Sequence, residues 1–235
     1  MIGHIFQIIL VEPILNFLVF CYNYVHDIGI VIILVTFVIR LILAPSFHKS
    51  LKSQRAMALL QPKMDEIKEK HKDNKEEQAK QLMNLYKESG TSPFSSCLPL
   101  LIQLPLLIAL YQVFNLALRG HDPLGNYLYH FVHNPGTLNP YFLQVIFHSY
   151  FNLAQKSVAF GVIAGLTQYW QSRLMLPKHK STDPTQKAMA LQTLYVLPAI
   201  TVFISMSLPA GLPLYWIAST LFAVAQQYYI MRKTD

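Results

Sequence analysis

The sequence predicts an all-α, polytopic membrane protein with five transmembrane helices and a cytoplasmic helical hairpin. Three observations lead to this prediction. Hydrophobic residues fill 53% of the 235 positions and charged residues only 13%, a balance unlike that of soluble domains. The apolar residues are concentrated in long runs that are almost free of charge. The Lys and Arg residues cluster in the stretches between alternate runs, as they do in the cytoplasmic loops of membrane proteins.

The distribution of positive charge predicts the orientation. Ten of the 19 Lys and Arg residues lie within 46–93, others cluster in 176–189 and near the C-terminus, and the first 39 residues have none. Because positively charged loops stay in the cytoplasm, these segments are predicted inside, and the N-terminus and loop 119–156 outside. The net charge of +7 therefore reflects membrane topology, and no nucleic-acid sequence recognition is expected.

The predicted spans alternate with these loops. They cover 28–45, 94–118, 157–175, 190–208 and 209–231, with a tight outside turn near Pro209 and a short tail at 232–235. An odd number of spans is what an outside N-terminus and a cytoplasmic C-terminus require. Cys21 and Cys97 fall on opposite sides of the membrane in this topology, so no disulfide is predicted.

Residues 1–27 are predicted to form an amphipathic helix that lies flat in the outer interface. Glu12, Asn16 and Asn23 share one helical face, and Glu12-Pro13 is expected to interrupt the apolar run. A sixth transmembrane helix is the alternative, which the lone charge of Glu12 disfavours. The basic region that begins a cleaved signal peptide is absent.

Residues 46–93 are predicted to form the hairpin. A heptad-like stripe from Ser53 to His71 indicates its first helix. Asn74 and Glu77 have the spacing of a capping box at the start of the second helix, which Ser89-Gly90 is expected to end. The hairpin is interpreted either as a solvated charged surface or as a docking arm for a ribosome, a targeting factor or a nascent chain.

The outside loop is rich in Asn, Pro, His and Tyr, and a short helix is predicted over 143–154. His130 and His133 have a spacing that a metal site could use, but only Asp122 supplies a carboxylate nearby, so neither a metal nor another cofactor is predicted. Hydrolase motifs such as G-x-S-x-G and H-E-x-x-H are absent, so the chain is not predicted to be an enzyme.

Arg40 is the one charged residue well inside a predicted span, about 7–8 Å from the cytoplasmic end by helical rise. A charge in lipid costs at least ~2.5 kcal/mol and is usually paired, snorkelled or functional. The Gln, Ser and Thr residues of the other spans also lie mostly in their cytoplasmic halves. This asymmetry indicates a wet cavity open to the cytoplasm and closed outside, since a transport pore needs polar lining throughout. Interhelical hydrogen bonds and snorkelling of Arg40 to lipid phosphate are the alternatives.

Three blocks of sequence resemble the YidC/Oxa/Alb family of membrane protein insertases. They are LQPKMDEIKEKHKD (60–73), LYKESGTSPFSSCLPLLIQLP (85–105) and LPAGLPLYWIASTLFAVAQQYY (208–229). The apolar run that contains Arg40 matches as well, and the resemblance covers nearly all of 28–231. The extra N-terminal span and large periplasmic domain of longer members are not expected here, and the tail is too short for tail-mediated ribosome docking.

The resemblance implies an insertase in the bacterial cell membrane that takes nascent membrane proteins into a hydrophilic groove and releases them into the lipid bilayer without a nucleotide. A ribosome or targeting factor at 46–93 and 176–190, and a Sec-type translocon, are further candidate partners. A small transporter and a scaffold for folded membrane partners are the alternative functions. The candidate groove residues are Arg40, Gln103, Gln171, Trp216, Thr201 and Ser219, and the candidate slide for departing substrate helices comprises Leu104, Pro105, Val196 and Ile200.

Overall fold

The computed structural model describes residues 2–91, 98–119, 124–143, 151–176 and 184–232, and nearly all of them are helical. The helices are α1 (Ile2–Phe6), α2 (Glu12–Val25), α3 (Ile28–Lys70), α4 (Lys75–Glu88), α5 (Leu98–Arg119), α6 (Val158–Met175), α7 (Pro184–Leu191), α8 (Leu197–Ser207) and α9 (Gly211–Arg232). Two short strands, β1 (Tyr141–Phe142) and β2 (Phe151–Asn152), form the one described sheet, paired antiparallel.

Within the described residues, four helical stretches are long and apolar enough to cross a membrane: Gly3–Val25, Ile28–Lys70, Leu101–Leu118 and Lys187–Ser207. The other two predicted spans coincide with α6 and α9, in which Gln, Ser and Thr lower the mean hydropathy. The predicted all-α, polytopic membrane fold is therefore confirmed. The predicted loop at 176–189 is partly helical, because α7 begins within it at Pro184, while 177–183 lie outside the described residues.

Glu12-Pro13 breaks the apolar run of the N-terminal segment, but the helix itself continues through these two residues. A π-helical turn over Gln7–Val11 joins α1 directly to α2. Pro13 then falls in the first turn of α2, where a missing N–H costs little. One side of this helix, which includes Val11, Leu15 and Leu18, is completely buried, and the helix packs against α3 and α5.

The polar face of α2 holds the loop that follows α5. The Asn16 side chain is buried; its Nδ2 donates to the Tyr127 carbonyl (2.8 Å) and its Oδ1 accepts from the Tyr129 N–H (2.6 Å). Nδ2 of Asn23 donates to the His133 carbonyl at 2.8 Å. An interfacial helix would turn this face to water, whereas here it is covered by the loop. Residues 16–23 therefore lie at the level of the loop, and the flat placement of the helix stays a prediction, with a sixth span as its alternative.

Helix α3 joins the predicted first span to the first arm of the hairpin without a break. Oδ1 of Asp27 caps its start by accepting from the N–H groups of Gly29 (3.0 Å) and Ile30 (3.1 Å). The helix continues through Pro45 and Pro62 for 43 residues, a length of about 65 Å. The region predicted as 28–45 and the start of 46–93 thus form one continuous helix.

The hairpin is completed by α4, whose predicted ends are confirmed. Oδ1 of Asn74 accepts from the Glu77 N–H at 3.1 Å, which satisfies one of the free donors at the helix start. The helix ends at Glu88, and Gly90 then adopts a left-handed conformation with φ of 62°. The two arms meet where the Tyr86 hydroxyl contacts the Met64 sulfur at 3.8 Å.

The short helix predicted over 143–154 is wrong for the residues that the structure describes. Phe151 and Asn152 form β2, which pairs with β1, while 144–150 lie outside the described residues. The ring of Phe142 in β1 occupies the space above Gly29, where an added Cβ would lie only 2.0 Å from it. This close packing fixes the sheet against the start of α3.

Helices α6 and α8 make the closest contact between described helices of the bundle. Gly161 and Gly165 lie one turn apart on α6, and a Cβ at Gly165 would stand 2.2 Å from Cγ2 of Val202. A Cβ at Gly161 would stand 2.6 Å from Cγ of Met206. Small residues at this spacing let two helix backbones approach in a membrane. Helix α9 packs against α6 and α3, whereas α5 packs mainly on the N-terminal helix and only lightly on α9 and α3.

The hydrophobic core lies at one end of the bundle. We call this the loop end, because loop 124–143 and the turn between α8 and α9 lie there; the opposite end, from which α4 protrudes, is the hairpin end. The core side chains contributed by the bundle all precede Arg40 on α3, follow Gln103 on α5 and precede Ser219 on α9, so they all lie on the loop side of these polar residues. They include Val31, Ile32, Val35, Leu110, Val113, Phe114, Phe160, Ala164, Leu212, Leu214 and Ile217.

Candidate functional site

Arg40 lies buried between α3 and α9, with 7% of its surface exposed. Both Nε and Nη2 donate to the Oγ of Ser219, with an Nε–Oγ distance of 2.8 Å. The guanidinium carbon is 4.6 Å from the centre of the Phe47 ring. Among the described residues, no Asp or Glu pairs with Arg40. The side chain is therefore directed into the bundle rather than to its surface, and its charge is held by neutral partners.

A buried tyrosine connects this arginine to α5. Tyr215 precedes Ser219 by one turn of α9, is 1% exposed, and lies within hydrogen-bonding reach of the serine. Its hydroxyl accepts a hydrogen bond of 2.8 Å from Nε2 of Gln103 on α5. Three predicted groove residues, Arg40, Gln103 and Ser219, are thus brought into one polar cluster. Tyr215 was not among the predicted groove residues, although its spacing of four from Ser219 places the two on one helical face.

Trp216 and Gln171 lie on the neighbouring face, between α9 and α6. The half-buried Trp216 donates from Nε1 to Oε1 of Gln168 at 3.0 Å, so its partner is Gln168 and not Gln171. Gln171 is half-buried one turn further toward the hairpin end, and it has no hydrogen-bond partner among the described residues. The Thr220 hydroxyl, also buried, donates back to the Trp216 carbonyl at 2.7 Å.

Thr201 is buried on α8, but no contact joins it to the Arg40 cluster within the described part of the chain. It stands between Pro198 and Val202, the two residues that approach Gly165 of α6. Of the six predicted groove residues, the structure joins Arg40, Gln103 and Ser219 into one cluster, places Trp216 and Gln171 on the neighbouring face, and leaves Thr201 apart on α8.

Buried polarity continues toward the hairpin end of α9. Gln227 is 5% exposed, and neither its side-chain oxygen nor its nitrogen has a hydrogen-bond partner. Ser172 on α6 is also buried. An unpaired buried amide costs about 1–3 kcal/mol, so this part of the bundle is better suited to a polar occupant than to close apolar packing.

The four predicted slide residues are exposed on the outside of two helices. Leu104 and the adjacent Pro105 are exposed on α5. On the other helix, Val196 and Ile200 border a shallow apolar pocket together with Tyr195, Ala199 and Phe203. Helices α5 and α8 have little contact with each other in the described chain. All four side chains are thus available to lipid or to an apolar segment, but the structure does not join them into a single surface.

The arrangement is one-sided. The polar cluster around Arg40 has the apolar core above it at the loop end, whereas few described residues toward the hairpin end are both buried and apolar: Phe47, Met64, Ala223 and Val224. The charge of Arg40 is thus buried beneath an apolar layer at the loop end, and the wet cavity open at the opposite end stays a prediction.

Comparison with known proteins identifies the family. The model of the family described as "60Kd inner membrane protein" matches residues 20–235. Proteins named "Membrane protein insertase YidC" from Geotalea daltonii and Syntrophus aciditrophicus are both 34% identical to this chain, over 94% and 95% of its length. A protein of the same name from Nitratidesulfovibrio vulgaris is 31% identical over 94%. The chain spans only 36–38% of the length of these relatives.

A solved structure agrees with the sequence comparisons. It is described as "Active YidC insertase crystal structure with the first transmembrane domain resolved". Its identity to this chain is 28% and the TM-score is 0.59, with 88% of this chain and 43% of that one covered. The resemblance predicted from the sequence is therefore confirmed, and the chain belongs to the 60Kd inner membrane protein family, also called the YidC/Oxa/Alb family, as a multi-pass bacterial membrane protein.

Proposed function

We propose that this protein is a membrane protein insertase. It receives newly made membrane proteins in a hydrophilic groove around Arg40, releases their transmembrane segments sideways into the lipid, and so assists their folding. The observation that carries the proposal is the buried guanidinium of Arg40, whose partners within the described part of the chain are Ser219 and Phe47 and which lies beneath the apolar core. The names of the relatives and of the matched solved structure support the same function.

The groove would attract the acidic or polar part of a client. A carboxylate entering from the hairpin end supplies the counter-charge that Arg40 lacks among the described residues. A hydrogen bond to a charged group contributes about 1.5–3 kcal/mol, and the charge attracts more strongly in a low-dielectric site than in water. A polar segment held at Arg40 has only the loop-end half of the bundle left to cross, so its path through hydrocarbon is shortened.

Release would be driven by partitioning of the client's apolar segment into lipid. Burial of apolar surface yields about 25 cal/mol per Å², so a transmembrane helix can leave without nucleotide hydrolysis. The light packing of α5 against α9 favours a lateral exit there. Exposed apolar side chains are offered to a departing helix by Leu104 and Pro105 on α5, by Val196 in the π-helical turn just before α8, and by Ile200 on α8.

The charge pattern supports one orientation. We place the hairpin, 176–190 and the C-terminus in the cytoplasm, and the N-terminus and loop 119–156 outside the plasma membrane. The hairpin exposes Leu59 and Met83 among its charged side chains, a surface suited to a nascent chain, a ribosome or a targeting factor. A Sec-type translocon is a further proposed partner.

Substitution of Arg40 in a strain depleted of its own insertase tests the proposal. Insertion of clients with acidic translocated tails should fall with Arg40→Ala, fall further with Arg40→Glu, and be partly retained with Arg40→Lys. Arg173→Ala is the matched control, because Arg173 is exposed at the end of α6 and only contacts Tyr169. Normal insertion of such clients by Arg40→Glu would refute the electrostatic mechanism.

A further inference from the structure

Phe47 is a neighbour of Arg40 that could not be selected from the sequence. It follows Arg40 by two turns on α3, on the side of the hairpin end, and is 7% exposed. Its ring lies 4.6 Å from the guanidinium carbon, well within the range at which a cation is attracted to an aromatic face. The ring therefore supports one face of the guanidinium without neutralising its charge.

The hydrogen bonds of Arg40 leave one edge of the guanidinium unused. An arginine has five N–H donors in a planar fork. Ser219 takes the donor on Nε and one on Nη2. Within the described chain Nη1 has no hydrogen-bond partner. The end of the guanidinium formed by Nη1 and the second donor of Nη2 is thus the edge that remains for a ligand.

We propose that Phe47 is a positioning residue that, with Ser219, holds Arg40 so that its Nη1–Nη2 edge faces a client carboxylate. Ser219 fixes the rotation of the plane by binding its side edge, and Phe47 limits tilting by stacking on it. The free edge matches the two oxygens of an Asp or Glu side chain in a bidentate pair. This inference rests on the proposed insertase function, and it names the carboxylate as the chemical group that the site recognises.

The two partners, Ser219 and Phe47, explain how the guanidinium of Arg40 can be held in one orientation and still be available to a ligand. An acidic partner would orient Arg40 by occupying the fork itself, and so would compete with any ligand. A serine hydroxyl and an aromatic ring orient it while leaving the charge unpaired. Lysine could not replace it fully, since an ammonium has no planar fork that could be aligned.

The experiment compares Phe47→Leu with Phe47→Trp in proteoliposomes. Leucine keeps an apolar side chain but loses the aromatic face, whereas tryptophan keeps the face. Each protein is given two versions of one single-span client, with Asp or with Asn in its translocated tail. We expect Phe47→Leu to reduce insertion of the Asp client at least twofold, which is the lower end of what a cation–π contact contributes. The Asn client should be inserted as by the wild type, and Phe47→Trp should restore the Asp client.

Different results would overturn the role of Phe47 and the proposed function. Equal loss of both clients with Phe47→Leu would show that the ring only fills space, and no loss of either would show that it does not position Arg40; both overturn the inference. Failure of Phe47→Trp to restore the Asp client would overturn it as well. If the wild-type protein inserts neither client, the proposed function itself fails. The yield and protease pattern of each variant show whether it is folded, and Phe47→Tyr provides a smaller aromatic replacement if tryptophan does not fit.

Discussion

Substitution of Gly165 by alanine should weaken the contact between α6 and α8, which supports one wall of the bundle. An added Cβ would lie 2.2 Å from Cγ2 of Val202 and 3.1 Å from the Pro198 carbonyl oxygen. Carbon atoms in contact prefer a separation of about 3.5–4.0 Å, so the valine must move by more than about 1 Å. A valine in a helix has essentially one favoured rotamer, so much of this movement falls on the backbones.

Overpacking of this kind costs about 1–3 kcal/mol, which corresponds to roughly a 5- to 150-fold change in the ratio of folded to unfolded protein. The free energy of unfolding can be measured by denaturant titration in mixed micelles. Gly211→Ala is the matched control, because a Cβ there would meet Ile32 at 3.5 Å and Leu118 at 3.6 Å, which are ordinary contacts.

A double-mutant cycle identifies the cause of the effect. Val202→Ala removes the methyl group that the new Cβ would strike, so Gly165→Ala should cost at least about 0.5 kcal/mol less in the Val202→Ala background. The contact with the Pro198 carbonyl remains, and recovery should therefore be incomplete. A Gly165→Ala protein as stable as the wild type, or a cycle without coupling, would refute the close contact between these helices.

Two further predictions concern polar contacts, one between two helices and one between a helix and a loop. Tyr215→Phe should lower the free energy of unfolding by about 0.5–1.5 kcal/mol. The loss should be smaller in a Gln103→Leu background, where the same hydrogen bond is already absent. An unchanged loss would show that the bond is not made. Asn16→Ala should leave two backbone groups of the loop without their partner, at a cost of about 1–3 kcal/mol each, and should speed hydrogen exchange of the loop more than Asn23→Ala does, since Asn23 makes one exposed bond. Equal exchange in both variants would contradict the conclusion that Asn16 holds the loop against α2.

Features that depend on local chemistry could be predicted from the sequence. Asn74 caps α4 because its side chain meets the N–H three residues ahead, and this requires only the spacing to Glu77. Arg40 could be selected from the sequence because a charge within a membrane-spanning apolar run is costly, whatever the packing around it. The one-sided distribution of Gln, Ser and Thr placed Gln103 and Ser219 in the cytoplasmic halves of their spans, and the structure joins them through Tyr215.

Features that depend on how the helices are rotated and paired could not be predicted. Gln168 and Gln171 lie on adjacent turns of α6, and only packing decides that Trp216 bonds the first. Thr201 is buried on α8, but no contact within the described chain joins it to the Arg40 cluster. The pattern of α2 shows that Asn16 lies on a polar face, but not that a loop more than a hundred residues away covers it.

The central claim, that Arg40 recognises the acidic part of a client, is tested most directly by exchanging the charges. Insertion of one client with either Asp or Lys in its translocated tail is measured for wild-type protein and for Arg40→Glu, in the same proteoliposomes and at low ionic strength. The wild type should favour the Asp client, and Arg40→Glu should lose that client and gain the Lys client. A preference for Asp that is unchanged in Arg40→Glu would contradict the account.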